Sequence, residues 1–589
     1  MSLNKLEILY DEVDPFFILR VPFERRKEVQ KIGGTWDPSK KGWKFAIDLK
    51  IWNDIKQQFG GSGGTVPKRL LVRLENLEKE QKKFLEFKAI AEEDNPVDYA
   101  VEGISLNGKN PLFNYQKWGI KCGLMVGDGF LIGDSPGLGK SIQSLGIALQ
   151  RKKEGNVNTC LIVCLASLKY NWLSEIEKFT KERALVIDGS VEERRKKWCA
   201  DGYFFKIVNY EILVKDLFIE KMEKTMRYGR PEFERKTKQN FSPEEIEFRK
   251  YMQKQFDMII VDEIHAIKAH KSQRTRALKQ LKAKYRLGLS GTPIDGRLEE
   301  LHSIFEFLKP GLFESKARFM ERHAIFDNFG NPKAYIHVQE VRDKIVPYYI
   351  RRQKEKVLKD LPEKLHKDIY VELGKAEYRL YKDIIKGAHE ITEEEQAAVR
   401  ILRTRQFLDF PELLGMHNKS DKFLALSDLL TELIESNREK VLIFTQYRQV
   451  LDLILFNLKN RYNVLQIHGD VGAKERVDIV NKFNEDRKYQ ILIGTDAMST
   501  GLNIGGANSV INYDDSFSPA VMQQRADRAH RATTRHNVTV YRFICTNTIE
   551  ENIRKVLGNK MDLNNSVLDE NCTEFGVRNL TNLELIKYL

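Results

Sequence analysis

From about residue 110 onward, continuous apolar runs alternate with stretches of helical spacing. The first set is GFLIGD, TCLIVCL, FFKIVNY, FDMIIVDE and YRLGLSG. Strands apolar on both faces, with helices between them, predict a parallel sheet covered on each side. The pattern fades after about residue 315. It returns with KVLIFTQ, NVLQIHG, YQILIGT, NSVINYD and TVYRFIC, ending near 560. The expected fold class is therefore α/β: two parallel-sheet units, residues 101–315 and 421–560, flanking a helical, partly basic insertion at 316–420. Residues 1–60 differ, with strand-like FFILRVPF and GWKFAI and a helical ERRKEVQKIG, giving a small α+β unit. Within it WDPSKKGWKF reads as a hairpin turning around Pro38–Gly42. GGSGGTVPK opens a linker and charged helix over 61–100, and the polar residues 561–589 are expected to brace the second unit.

Length and composition narrow the class. The 589 residues exceed what one core of roughly 250–300 residues holds, so several domains are expected. No apolar run approaches the ~20 residues of a membrane helix. The opening MSLNKLEILYDEVDPFF lacks a basic stretch followed by an apolar one, so no secretory leader is expected. Six cysteines with no CxxC pair argue against a disulfide scaffold and a zinc site, and suggest a reducing compartment. The net charge of +13 suggests an anionic partner, nucleic acid first, although a lysine-rich solvated surface gives the same balance.

Two stretches carry chemistry. FLIGD leads into SPGLGKS and then a helix. Glycines there let backbone N–H groups approach phosphate oxygens at a helix start, with Lys140 reaching the β/γ-phosphates and Ser141 holding Mg²⁺. The generic phosphate-loop pattern is incomplete, since Asp134 occupies its first glycine position; a plain glycine turn suits the same residues. FDMIIVDEIH then ends a buried strand in two acids, where ligands of α/β sheets sit. Asp262 suits Mg²⁺ held through water, and Glu263 suits polarising an attacking water.

With these motifs in order, residues 110–560 resemble superfamily-two helicases of the Swi/Snf type. That family's glycine loop begins with Asp, as here. LFNYQKWGI resembles its adenine-reading segment, which implies Gln116. Asp134, Gly137, Leu138, Gly139, Lys140 and Ser141 complete the implied ATP site. LIVCLASLKYNWLSEIEKF, IVNYE, LSGTPI and YYIRRQKEKVLKDLPEK resemble further family segments; so do VLIFTQY, LQIHGD, ILIGTDAMSTGLNI, QQRADRAHR and TIEENI. The resemblance implies two RecA-like domains, ATP and Mg²⁺ as cofactors, and Arg528 and Arg531 at the γ-phosphate. Those two arginines lie three apart, on one face if helical, where a solvated basic face is the plain alternative. The resemblance implies backbone contacts to DNA from Ser167, Lys169, Asn209, Gln446, Thr495 and Asp496. Arg525 and the stretch ATTRHN depart from the common pattern.

KIGGTWDPSKKGWKFAIDLKIWNDI is similar to the HARP-type domain of annealing helicases. Trp36 and Lys44, with Trp43 nearby, could then grip DNA; both tryptophans also suit filling a small core. The combined expectation is a monomeric, DNA-dependent ATPase that remodels branched duplex DNA without sequence preference, in cytoplasm or nucleoid, or in a nucleus if the source is eukaryotic. The alternatives are a strand-separating DNA or RNA helicase and a remodeller of DNA-bound protein.

Overall fold

The computed structural model describes residues 6–10, 16–32, 34–38, 40–46, 49–59, 66–91, 101–106, 112–217, 222–227, 230–235, 243–254, 256–327, 330, 332–358, 362–386, 394–416, 420–499, 502, 504–530 and 537–568. The chain separates into two compact units: residues 1–323 with 337–357, and residues 324–336 with 358–589.

The first unit opens with an antiparallel sheet of β1 (Glu7–Tyr10), β2 (Phe16–Arg20), β3 (Thr35–Asp37) and β4 (Gly42–Ala46), in the order β1-β2-β4-β3. β3 and β4 form the hairpin expected from WDPSKKGWKF, with Trp36 opposite Trp43. A helix at Leu49–Phe59 and the start of the helix Lys68–Ala91 close its core, where Phe17, Phe45, Trp52, Leu70 and Leu74 are buried.

Its large sheet contains β5 (Gly129–Ile132), β6 (Cys160–Cys164), β7 (Ala184–Val186) and β8 (Phe205–Asn209). A separate hairpin, β9 (Met222–Arg227) with β10 (Arg230–Arg235), precedes β11 (Met258–Asp262) and β12 (Tyr285–Leu289). A second hairpin, β13 (Ala324–Phe326) with β14 (Pro332–Tyr335), belongs to the other unit, and β15 (Tyr349–Ile350) returns to the large sheet. The order is β15-β5-β12-β11-β6-β8-β7, every pair parallel. β5, β6 and β8 are buried at every position: β5 and β6 as their unbroken apolar runs require, and β8 with Lys206 and Asn209 buried among its apolar residues.

The second unit's sheet contains β16 (Lys364–Val371), β17 (Val441–Phe444), β18 (Val464–Ile467), β19 (Ile491–Gly494), β20 (Ser509–Asn512) and β21 (Val538–Cys545). Its order is β16-β21-β20-β17-β19-β18, again all parallel.

The segment 316–420, expected as one helical insertion, is divided between the two units. β15 adds an edge strand to the first sheet and β16 adds one to the second. The helices Lys375–Ile385 and Glu394–Asp409 contribute Tyr381, Ile401 and Phe407 to the second unit's core. A two-residue strand such as β15 is too short for periodicity to reveal. The closing helix runs Ile549–Leu568; the rest of the expected brace lies outside the described residues. Among the described residues no helix is long and apolar enough to cross a membrane.

Candidate functional site

Strands β5, β12 and β11 are neighbours, and the turns after them share one edge of the first sheet. Asp262 ends β11 opposite Leu289, so the acidic pair and the start of SGTPI lie level. After β5 the chain runs through Asp134–Gly139 into the helix Lys140–Lys153. Gly137 and Gly139 have φ of 89° and 73°, a region open at little cost only to glycine. A Cβ on Gly139 would also stand 2.4 Å from Gln116 Nε2.

The glutamine is that close because it holds the loop. Gln116 Nε2 donates to the Leu138 carbonyl at 3.2 Å, and its Oε1 accepts from Phe113 N–H at 3.1 Å. Gln143 Nε2 donates to the same Leu138 carbonyl at 3.3 Å. These two bonds turn the Leu138 carbonyl inward. Lys140 Nζ donates to the Asp134 carbonyl at 2.9 Å. Ser141 stands in the first turn of the helix and is half-buried.

Asp134 does not project into this opening. Its carboxylate is fully buried and accepts from Arg352 Nε at 3.0 Å, from the other arm of Arg352 at 2.5 Å, and from Gln143 at 3.0 Å. Arg352 also donates to the Tyr115 carbonyl. Asp134, expected among nucleotide-contacting residues, instead anchors the loop from behind, because a buried carboxylate needs its charge answered.

The acidic pair is held from several sides. Trp172 Nε1 donates to Asp262 Oδ2 at 2.9 Å, and Glu263 N–H to its Oδ1 at 2.9 Å. Tyr210 O–H donates to the Asp262 carbonyl at 2.7 Å. Burial, then the charge of Glu263, push the Asp262 carboxyl up to about 7, with Lys140 among the opposing influences. Glu263 occupies left-handed backbone, φ 47° and ψ 54°, a conformation costing of order 1–3 kcal/mol for such a residue. Its carboxylate lies 3.3 Å from His265 Nδ1, which also meets Ser290 Oγ at 3.2 Å. Two adjacent, poorly solvated carboxylates form a donor set that suits a divalent cation.

On neighbouring strand ends, Ser167 and Lys169 are half-buried, with Lys169 Nζ 3.7 Å from Asp188. Asn209, expected as a DNA contact, is buried and donates to Glu211 at 2.6 Å. In the second unit, Gln446 N–H donates to Asp514 at 2.9 Å and its amide to the Asp515 carbonyl at 2.5 Å. Thr495 N–H donates to the Ile467 carbonyl at 3.1 Å. Arg525 is fully buried, donating to Asp496 at 2.8 Å, to Asn512 at 3.2 Å and to the Asp514 carbonyl at 2.8 Å. Its departure from the common family residue is thus a buried polar bridge that also takes up Asp496. Arg528 is buried, donating to the Leu502 carbonyl at 2.9 Å and the Gln524 carbonyl at 3.3 Å. Arg531 lies outside the described residues.

In the N-terminal unit the two tryptophans differ in burial. Trp43 is 8% exposed and belongs to the core; Trp36 is 53% exposed, its ring edge-on to Trp43 at 5.4 Å. Lys44 is half-buried on the adjoining strand.

A model of the SNF2-related domain matches residues 109–423, more than half of the chain, and a model of the helicase conserved C-terminal domain matches residues 421–533. The chain belongs to the SNF2-related family. It is 30% identical over 496 residues to an uncharacterized ATP-dependent helicase of Mycoplasma genitalium, covering 82% of this chain and 44% of the relative. It is 31% identical over 489 residues to an uncharacterized ATP-dependent helicase of Mycoplasma pneumoniae, covering 81% and 44%. The chain thus spans less than half the length of these two relatives. A solved structure, the Sulfolobus solfataricus SWI2/SNF2 ATPase core in complex with dsDNA, aligns at 26% identity with a TM-score of 0.36, covering 80% of this chain and 95% of that one.

Proposed function

We propose that this protein is an ATP-driven translocase on duplex DNA whose ATPase is stimulated by that DNA. The observation that carries the reading is the shared edge of β5, β12 and β11. There a glycine loop held open by Gln116 and Gln143 lies beside the Asp262–Glu263 pair. In this reading Gly137, Leu138 and Gly139 cradle the phosphates, and Lys140 leaves the Asp134 carbonyl for the β/γ-phosphates. Gln116 reads adenine from the loop's flank. Ser141 and Asp262 would hold Mg²⁺, which supplies charge neutralisation at the phosphates when bound. Glu263 orients the attacking water, its strained backbone aiming the carboxylate, and His265 fixes that carboxylate's position. Arg531 answers the charge that develops at the γ-phosphate, since Arg528 is committed to carbonyls of its own unit.

DNA would be gripped by its phosphates, so binding is salt-sensitive and independent of sequence. Ser167, Lys169, Gln446 and Thr495 are the contacts of this reading, with Asn209 and Asp496 acting through the neighbours they orient. The exposed Trp36 in a HARP-like N-terminal unit favours branched DNA, where an unpaired base can stack on it. Fork regression, branch migration or strand annealing follows from that preference. The test is ATP hydrolysis by the full chain with single-stranded DNA, duplex, fork, four-way junction and RNA compared side by side. The reading expects duplex and branched DNA to stimulate most; stimulation by RNA alone would replace it with an RNA helicase.

A further inference from the structure

Away from the acidic pair, His270, His302 and Glu306 come together within the first unit. Each offers a ligand atom, and the three atoms lie within 4.8 Å of one another. His302 and Glu306 stand four residues apart on the helix Leu298–Leu308, so they share one face. His270 comes from the loop that follows Glu263 and the short helix Ile264–Ile267. His302 is 2% exposed.

The hydrogen bonds show which atoms are available. His302 Nε2 lies 2.8 Å from the Glu314 carbonyl, which can only accept, so Nε2 carries the proton. With the proton on Nε2, His302 Nδ1 carries the lone pair. That lone pair points at His270 Nε2, 2.9 Å away. His270 Nδ1 lies 3.1 Å from Glu306 Oε2. Donation of the second imidazole nitrogen to a backbone carbonyl is also how metal-bound histidines are oriented.

We infer that His270 Nε2, His302 Nδ1 and a carboxylate oxygen of Glu306 form a binding site for a zinc-type divalent cation. Three N/O ligands leave a fourth position for water. Binding at Nε2 requires that nitrogen to give up the hydrogen it shares with His302 Nδ1. Zinc–nitrogen bonds of about 2.0–2.1 Å in tetrahedral array separate two nitrogens by about 3.4 Å, so the rings part by roughly half an ångström. The carboxylate's ion pair with Lys279 is the competing interaction. It involves a half-exposed glutamate and is worth little, so a cation displaces it. His302 and Glu306 also line a cavity of about 340 Å³, together with Phe313 and Lys344 and with Lys44 and Phe45 of the N-terminal unit. The ion would fasten the loop after Glu263 to the helix after SGTPI, two segments otherwise joined there by hydrogen bonds. Cysteine spacing could not reveal such a site, because no thiolate takes part.

The test titrates the metal-free full chain with Co²⁺ in the absence of nucleotide. One equivalent is expected to give the visible bands of a four-coordinate N/O site, without the near-ultraviolet band of a cobalt–thiolate bond, and Zn²⁺ should bleach them. His270→Gln and Glu306→Gln, both outside the deep core, should each weaken binding at least tenfold while far-ultraviolet circular dichroism is kept. Zn²⁺ should raise the melting temperature of the unaltered chain and of neither variant. If a variant misfolds, the other decides. Absence of the visible bands, a thiolate band in their place, or equal affinity in a folded variant would overturn the site.

Discussion

Arg352 and Asp134 form a fully buried two-armed ion pair between residues 218 positions apart, joining β15 to the start of the glycine loop. Arg352 N–H and Nε both reach Asp134 Oδ1 at 3.0 Å, and Ser135 N–H returns a bond to the Arg352 carbonyl at 3.0 Å. The loop is therefore shaped from behind by a fully buried residue. Replacing Arg352 by Met leaves a buried carboxylate unpaired, a loss of about 3–5 kcal/mol. Thermal unfolding of Arg352→Met should show that loss, and fluorescent-nucleotide binding should weaken about tenfold or more, equivalent to at least about 1.4 kcal/mol. Arg352→Lys should fail to restore either, because an ammonium cannot supply the two-armed bond.

Trp36 and Trp43 face each other across one hairpin yet differ in burial. Trp43→Ala should destabilise the N-terminal unit by about 3–5 kcal/mol, the usual cost of removing a core aromatic, read by limited proteolysis and denaturant unfolding. Trp36→Ala should change stability by no more than about 0.5 kcal/mol. It should weaken binding to forked DNA by about 1–3 kcal/mol if a base stacks on its ring, measured by fluorescence anisotropy.

Lys422 is fully buried between Asp409, at 2.9 Å, and Glu550, at 2.5 Å. Burial, partly offset by Lys422, pushes Asp409 up to about 7. Lys422→Met removes the cation and leaves two acids in the core. The expected cost is about 3–5 kcal/mol in the second unit, checked by denaturant unfolding. Adding Asp409→Leu and Glu550→Leu should recover part of it.

Glu377 gives a pH signature. Burial, then a hydrogen bond shared with Asp421, raise its carboxyl to about 8 from an ordinary 4.5. Between those values the folded chain holds a proton that the unfolded chain has released. Stability from this group therefore falls as pH rises from about 4.5 and levels off above about 8, by at most about 5 kcal/mol. Glu377→Gln should flatten that decline in melting temperature against pH.

Most strands of both sheets were legible in the sequence because they are apolar on both faces and bounded by turn residues; β16, KLHKDIYV, is largely polar and exposed and carries no such run. The glycine loop and the acidic pair were legible because their chemistry is local, set by spacing along one strand end. What was not legible depends on distant partners. Asp134 lies in the glycine loop for which the family resemblance implies nucleotide contact; only Arg352, arriving 218 positions later after the neighbouring strand β15, shows that its carboxylate faces inward. Arg525 stood out as unusual, yet its tie to Asp496 and Asn512 needed the strand order of the second sheet. β15 is two residues long, so the division of 316–420 between units left no periodic trace. His270 and His302 are 32 residues apart and carried no recognisable metal spacing.

The most direct test of the central claim is steady-state ATP hydrolysis on duplex DNA by the unaltered chain beside Glu263→Gln and Lys140→Ala. The account predicts DNA-stimulated turnover in the unaltered chain and its loss in both variants, with Glu263→Gln still binding ATP. Full turnover in a folded Glu263→Gln sample, or an unaltered chain that hydrolyses no ATP with any polynucleotide, would contradict it.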